Sequence, residues 1–320
     1  MADGSTISVV GALVGNLAVA GIKFVAYLLS GSSAMLTEAI HSLVDTLNQV
    51  LLLFGLRQSR KPPDDNHPFG HGMELYFWTF VVALMIFAIG GALGIYEGLH
   101  KFAHPARVTH VWLNLGVIAV SAVIETLSLY VSLKAARDSR SPVLRRIVPS
   151  LNVWDLMRQS KDPSIYETLA ENAAAVLGLV FATLGVIGSA WLGWTHADAI
   201  ASIAIGMLLV AVAVFLAKET RSLLTGETAS PPVLAEIRRV FDGDDRIQAV
   251  CEIQSMHLGP QDILVAATLD FRDDLTAPEL EKAADELTGE LKKAEPRITR
   301  VFIRPGEAVY STADGSRKGL

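Results

Sequence analysis

Ala34-Met35-Leu36-Thr37-Glu38-Ala39-Ile40-His41-Ser42-Leu43-Val44-Asp45-Thr46-Leu47-Asn48-Gln49-Val50-Leu51-Leu52-Leu53-Phe54-Gly55-Leu56 is the stretch on which the fold turns. An apolar run of about 20 residues is long enough to cross a ~30 Å hydrocarbon core as a helix. Inside this run Glu38, His41, Asp45 and Asn48 recur at spacings of 3, 4 and 3, so they share one helical face. At ~1.5 Å of rise per residue, His41 lies ~10 Å and Asp45 ~16 Å from the outer end, bracketing the midplane. Ionisable side chains at that depth are costly and mark functional sites. An imidazole and a carboxylate one turn apart are half of a tetrahedral site for a borderline divalent metal. A helix–helix hydrogen bond is the competing structural reading.

The second half of such a site must come from another helix. The apolar segment Ile165–Leu192 supplies Glu167 and Glu171, again four residues apart. Entering from the opposite side of the membrane, it places Glu171 near the level of Asp45. Glu167, one turn nearer the cytoplasm, reads either as a ligand or as a residue of the mouth. Asn172 offers a weak carbonyl ligand on the neighbouring face. Glu125, mid-way along another span, reads as a supporting or proton-relay group or as a neutral carboxyl. Lys23, in the outer half of the first span, has the length to snorkel outward.

The 320 residues are 51% hydrophobic, and the mean hydropathy is +0.39. A soluble chain of this size has a negative average, so the bulk belongs in lipid. Six spans meet the length criterion: Ile7–Leu29, Ala34–Leu56, Leu75–Leu99, Val111–Leu133, Ile165–Leu192 and Ala197–Leu216. The first is too long for a cleaved signal peptide and has no basic region before it. Lysine and arginine crowd one side of the membrane: Arg57, Arg60 and Lys61; then Lys134, Arg137, Arg140, Arg145, Arg146, Arg158 and Lys161; then Lys218 and Arg221. Lys101 and Arg107 alone lie opposite. The positive-inside rule therefore places both termini in the cytoplasm.

After Leu224 the character changes. Thr225-Gly226 and Ser230-Pro231-Pro232 mark a boundary, and a charged segment follows. It reads as helix Val233–Phe241, strand Gln248–His257, strand Ile263–Phe271, helix Pro278–Lys293 and strand Arg297–Arg304, a small α+β layer. The domains are thus 1–225, six-helix and transmembrane; 226–308, cytoplasmic; and 309–320, a disordered tail. The single cysteine, Cys251, falls in a strand and is expected to be a packed core thiol. The net charge of −6 is small, and with no phosphate-binding glycine pattern neither nucleic acid nor ATP is implied.

Between spans two and three, Asp64, His67 and His71 form a D-x-x-H-x-x-x-H set. Three nitrogen and oxygen ligands within eight residues suit a solvent-accessible, labile zinc site. A polar turn capped by histidines is the plain alternative.

Gly31-Ser32-Ser33-Ala34-Met35, the Glu38–Gln49 stretch, the Asp64–Gly72 loop and Lys161-Asp162-Pro163 through Glu171-Asn172-Ala173-Ala174 together resemble the cation diffusion facilitator family of metal–proton antiporters. The resemblance spans Asn16 to about Pro305. Its nearest branch is that of the mitochondrial-type human zinc transporter and its bacterial relatives. It implies a ferredoxin-like fold for the cytoplasmic domain, a homodimer, and a transport site including His41 and Asp45, with Glu167 and Glu171 where the commonest pattern has a His or Asp four residues before an Asp. Asn172 replaces an acidic residue usual in the branch. A lysine–aspartate lock that bacterial zinc exporters of the family use to hold their dimer is matched here by Met73 and Thr225. Their cytoplasmic zinc cluster is matched by Cys251 and by Arg304-Pro305-Gly306, leaving His257 as the domain's single histidine.

The resemblance implies proton-coupled efflux of a divalent cation: zinc first because of the imidazole, with manganese, iron(II) or cobalt favoured by the carboxylates. The metal is then a transported substrate and the proton its counter-ion, with no resident cofactor and no enzymatic activity. A bacterial inner membrane is the expected location. Readings from other classes are an intramembrane metalloenzyme, which would need an open metal position and a general base, and a non-transporting membrane subunit. The chain has no H-E-x-x-H motif to support the enzyme.

Overall fold

A computed structural model describes residues 2–105, 108–138, 143 and 161–307, with side chains from Asn16 onward. Arg107, Arg140, Arg145, Arg146 and Arg158, used in the orientation argument, and the 309–320 tail lie outside the described residues. The chain divides into two compact units, 1–139 with 152–225, and 140–151 with 226–320.

The first unit is helical: α1 Ala2–Ser30, α2 Ser33–Ser59, α3 Glu74–Ala103, α4 Val111–Asp138, α5 Pro163–Ala190 and α6 Ala197–Leu224. The five from α2 to α6 are each long and apolar enough to cross a membrane, and the Asn16–Ser30 part of α1 is a shorter apolar helix. The chain is therefore a multi-pass membrane protein. Local chemistry sets the helix ends. Gly31 takes φ +67°, a left-handed turn that favours glycine, and the Ser32 hydroxyl then accepts from Met35 N at 3.2 Å to start α2. Asp162 caps α5 by accepting from Ser164 N at 3.0 Å, with Pro163 in the first turn.

Helix α1 packs on α2 and α4; α2 also meets α3, α5 and α6; and α5 lies between α4 and α6. Against α6, α3 presents small residues, so the backbones come close: a Cβ on Gly206 would lie 2.7 Å from Ile95 N. There α3 passes through a π-helical stretch, Ile86–Ala92, which the sequence reading does not anticipate.

The second unit has helix α7 Pro231–Asp242, strands β1 Ile247–Gly259 and β2 Asp262–Phe271, helix α8 Ala277–Ala294 and strand β3 Ile298–Pro305. The sheet order is β1-β2-β3, antiparallel then parallel. Alternate β2 residues, Ile263, Val265, Ala267, Leu269 and Phe271, are buried in one core with Ile237 and Phe241 of α7 and Leu287 and Leu291 of α8. Pro260 and Gln261 make the hairpin turn.

Cys251 corrects an expectation: it is exposed, not a core thiol. The β1–β2 register shifts between Val250 and Glu252, and Cys251 falls at that irregularity. An extra residue in a strand reverses the alternation of faces locally, which a period-2 reading cannot foresee.

Candidate metal pathway

In the membrane unit a cavity of about 460 Å³ is bounded by α1, α2, α4 and α5. Four acidic residues line it: Asp45 from α2, Glu125 from α4, and Glu167 and Glu171 from α5. The four-residue spacing of Glu167 and Glu171 aims both carboxylates through the same face of α5, as the sequence predicts. Asn172 also reaches the wall, and its amide donates to Ser132 Oγ of α4 at 2.8 Å. Asn48 donates to Glu171 Oε1 at 2.6 Å, joining the polar stripe of α2 to the acidic pair of α5.

His41 is buried but does not line the cavity. Its Nδ1 lies 3.2 Å from Asp45 Oδ1, so it stands beside Asp45, behind the cavity wall. Among the described residues its Nε2 has no hydrogen-bond partner, and neither has the buried Glu167 Oε2. Buried polar atoms are normally satisfied. A cation or protons among these groups would complete them. The four sequence candidates line the α2–α5 interface rather than converge on one point. Among the described residues, only Asp64, His67 and His71 bring three possible ligand atoms within 4.8 Å of one another.

That loop group is folded by its own backbone. Asp64 Oδ1 accepts from His67 N at 2.7 Å and Asn66 N at 3.0 Å. His67 Nδ1 lies 3.2 Å from Asp64 Oδ1, and His71 Nε2 lies 3.5 Å from Asp64 Oδ2. The His67 backbone bond, and then its ring, hold the Asp64 carboxyl below the usual carboxylate range. All three groups reach solvent, as a labile metal site needs.

Two buried charges read differently from the sequence. Lys23 does not snorkel: it is 0% exposed, and its Nζ donates to Glu38 Oε2 at 3.0 Å and Ser42 Oγ at 2.8 Å. Lys101, counted above as a loop charge, is buried and donates to Asp198 Oδ2 at 2.8 Å and to Gly31 O. Asp198 also accepts from Ser33 N at 2.7 Å, from Ser33 Oγ at 2.9 Å and from Ser32 Oγ. The Gly31-Ser32-Ser33 corner is therefore clamped to α3 and α6 through one carboxylate. The sequence offered a signal for this cluster: an aspartate in the first turn of an apolar helix.

The chain resembles known proteins over most of its length. It is 29% identical to the mitochondrial proton-coupled zinc antiporter SLC30A9 of Xenopus laevis, over 91% of the chain and 52% of that protein. The Homo sapiens protein of the same name is 28% identical over 91% of the chain and 51% of its own length. The manganese efflux system protein MneP of Bacillus subtilis is 24% identical over 91% of the chain and 92% of that protein. The chain thus spans about half the length of the SLC30A9 relatives. These relatives are transporters, not enzymes, which sets the metalloenzyme reading aside. Residues 9–225 match the family model described as the cation efflux transmembrane domain, and the chain belongs to that cation efflux, or cation diffusion facilitator, family.

Proposed function

We propose that this protein exports a divalent metal cation from the cytoplasm in exchange for protons. The observation that carries the reading is the cavity walled by Asp45, Glu125, Glu167 and Glu171 among the apolar helices. Four carboxylates facing one small space in a low dielectric are a costly arrangement that a divalent cation offsets. Metal and protons compete for the same oxygens, so loading one releases the other, and exchange needs no separate proton route.

Asp45 and Glu171 are the central ligands, His41 joins through its unpartnered Nε2, and Glu167 or Asn172 completes the shell. His41 supports zinc, and the carboxylate majority supports manganese, iron(II) or cobalt beside it. The relatives, a zinc antiporter and a manganese efflux protein by name, bracket the same choice. Asp64, His67 and His71 form a peripheral capture site. The protein works as a homodimer in a bacterial inner membrane, with six spans, both termini cytoplasmic, and the 226–308 domain, ferredoxin-like in fold, as pairing module. The helix–strand–strand–helix–strand order supports that fold.

Purified protein in proteoliposomes tests the reading. Zinc or manganese should accumulate against its gradient in the compartment that is acidified, while protons leave that compartment. Asp45→Ala should abolish this while the protein still elutes as a folded dimer. Transport by the variant above about a third of the wild-type rate would remove Asp45 from the ligand set.

A further inference from the structure

Lys23 and Glu38 form a buried ion pair next to the cavity but not on its wall. Asn16 and Val19, which precede Lys23 on the same face of α1, do line the cavity, and so does Ser42, which accepts from the Lys23 ammonium. The ammonium therefore stands immediately behind the wall. Glu38 is 0% exposed, and its second oxygen, Oε1, has no hydrogen-bond partner. Among the described residues no donor reaches that oxygen, which faces the bare backbone of α5, where a Cβ on Gly178 would overlap it. Glu38 is seven residues from Asp45, ~10 Å along α2, and Gly178 is seven residues from Glu171. The pair is the next polar layer of the α2–α5 interface, on the side of the Gly31 corner.

Burying two charges costs more than their attraction returns unless every remaining lone pair is satisfied. Here one carboxylate oxygen is left free, so the pair is a poor device for stability alone. We propose that Lys23 is a tethered counter-cation holding Glu38 in the place of a metal ion, and that Glu38 receives the metal as it leaves the cavity toward the Gly31 side. The inference rests on the transport reading above. As the divalent ion reaches Glu38 it displaces the ammonium, exchanging one cation for another at the same carboxylate. Glu125 of α4 lines the same cavity as Ser42, which already accepts from Lys23, and is the acceptor to which the freed ammonium can turn. When the metal departs, Lys23 returns and closes the exit to back-flow by like-charge repulsion.

The test counts metal bound to purified full-length protein, using zinc alone and manganese alone after equilibrium dialysis, beside transport rates in proteoliposomes. Lys23→Met should bind one metal equivalent more than wild type and turn over at least about tenfold more slowly, because the metal is trapped at Glu38. Lys23→Met with Glu38→Gln should lose the extra equivalent, and Lys23→Arg should keep the wild-type count. Should Lys23→Met fail to fold, Glu38→Gln carries the test. It leaves an unbalanced ammonium at the exit and should slow transport about tenfold with the cavity's metal count unchanged. A wild-type count and rate in folded Lys23→Met would overturn the proposal, as would wild-type turnover in folded Glu38→Gln. A loss of thermal stability with no change in count or rate would show a structural pair and overturn it equally. Counting needs no transport, so a protein that failed to transport would refute the transport reading while the extra equivalent still reported on Glu38.

Discussion

Replacing Asp198 by alanine should be among the most damaging single changes in the membrane unit. Asp198 is 0% exposed. Its two oxygens accept from Lys101 Nζ, Ser32 Oγ, Ser33 N and Ser33 Oγ. Without it, the Lys101 ammonium is left with the Gly31 carbonyl oxygen. Ser33 N, an orphan donor at the start of α2, loses its acceptor. Breaking a buried pair from one side costs roughly 3–5 kcal/mol. Lys101→Met should cost less, because the carboxylate would retain three hydrogen-bond donors from the serine corner. Lys101→Met combined with Asp198→Leu removes both charges and should cost clearly less than the sum of the single changes, with a coupling of roughly 1–3 kcal/mol.

The assay is thermal unfolding in detergent, followed by tryptophan fluorescence at one fixed scan rate. For a unit of this size each kcal/mol moves the midpoint by about 2–4 °C. Asp198→Ala should therefore lower it by on the order of 10 °C, and the double variant should recover part of that loss. Single variants within about 2 °C of wild type, or a double variant that merely adds the two losses, would refute the clamp.

Three further outcomes follow from the same geometry. His41→Asp should shift preference from zinc toward manganese in a competition series, since the imidazole is the softer ligand; an unchanged order would remove His41 from selectivity. Changing His67 and His71 together to alanine should lower the affinity for a peripheral metal and keep transport within a few-fold, because the Asp64 loop lies apart from the cavity residues; complete loss in folded protein would contradict this. Gly206→Ala should destabilise the membrane unit by roughly 1–3 kcal/mol, because the new Cβ would meet the backbone at Ile95 N and Gly91 O as well as the Ile95 side chain; a midpoint equal to wild type would show that α3 yields there.

Much of this architecture was legible where apolar runs and turn residues punctuate the chain. The soluble elements fall within two residues of their expected bounds, because Pro231, Pro260 and Pro278 mark helix starts and a turn. The cavity's acidic wall was legible for a similar reason. Charges at helical spacing inside an apolar span have few places to face, and Asp45, Glu167 and Glu171 face the same one. The remainder depended on partners distant in sequence. Lys101 and Asp198 are 97 positions apart, and a lysine near a span end is indistinguishable from a loop charge until its acceptor is placed. Lys23 and Glu38 were each visible as single buried charges, but nothing local says that they neutralise one another across α1 and α2. Cys251 was misplaced because one irregular pairing step inverts a strand's faces.

The same contacts indicate which helix can move to open the cavity. Helix α2 is fixed at its N-terminal end by the Asp198 cluster, tied to α1 through Lys23, and joined to α5 through Asn48 and Glu171. In α5, 50% of the apolar window is buried within the unit; in α4 the figure is 11%. Helix α4 nevertheless supplies one wall of the cavity, including Glu125, and touches α5 through the Ser132–Asn172 hydrogen bond. Displacing α4 therefore forfeits less buried area than displacing α2 or α5, at about 25 cal/mol per Å² of apolar surface. Displacing α2 would instead break the Lys23–Glu38 ion pair, the Asn48–Glu171 hydrogen bond and the clamped corner together. On the transport reading proposed above, alternating access would pair a stationary face, α2 with α5, with a moving cover, α4. Glu125, the one acidic wall residue on that cover, would then change its distance to the metal during the cycle, whereas Asp45 and Glu171 would keep theirs.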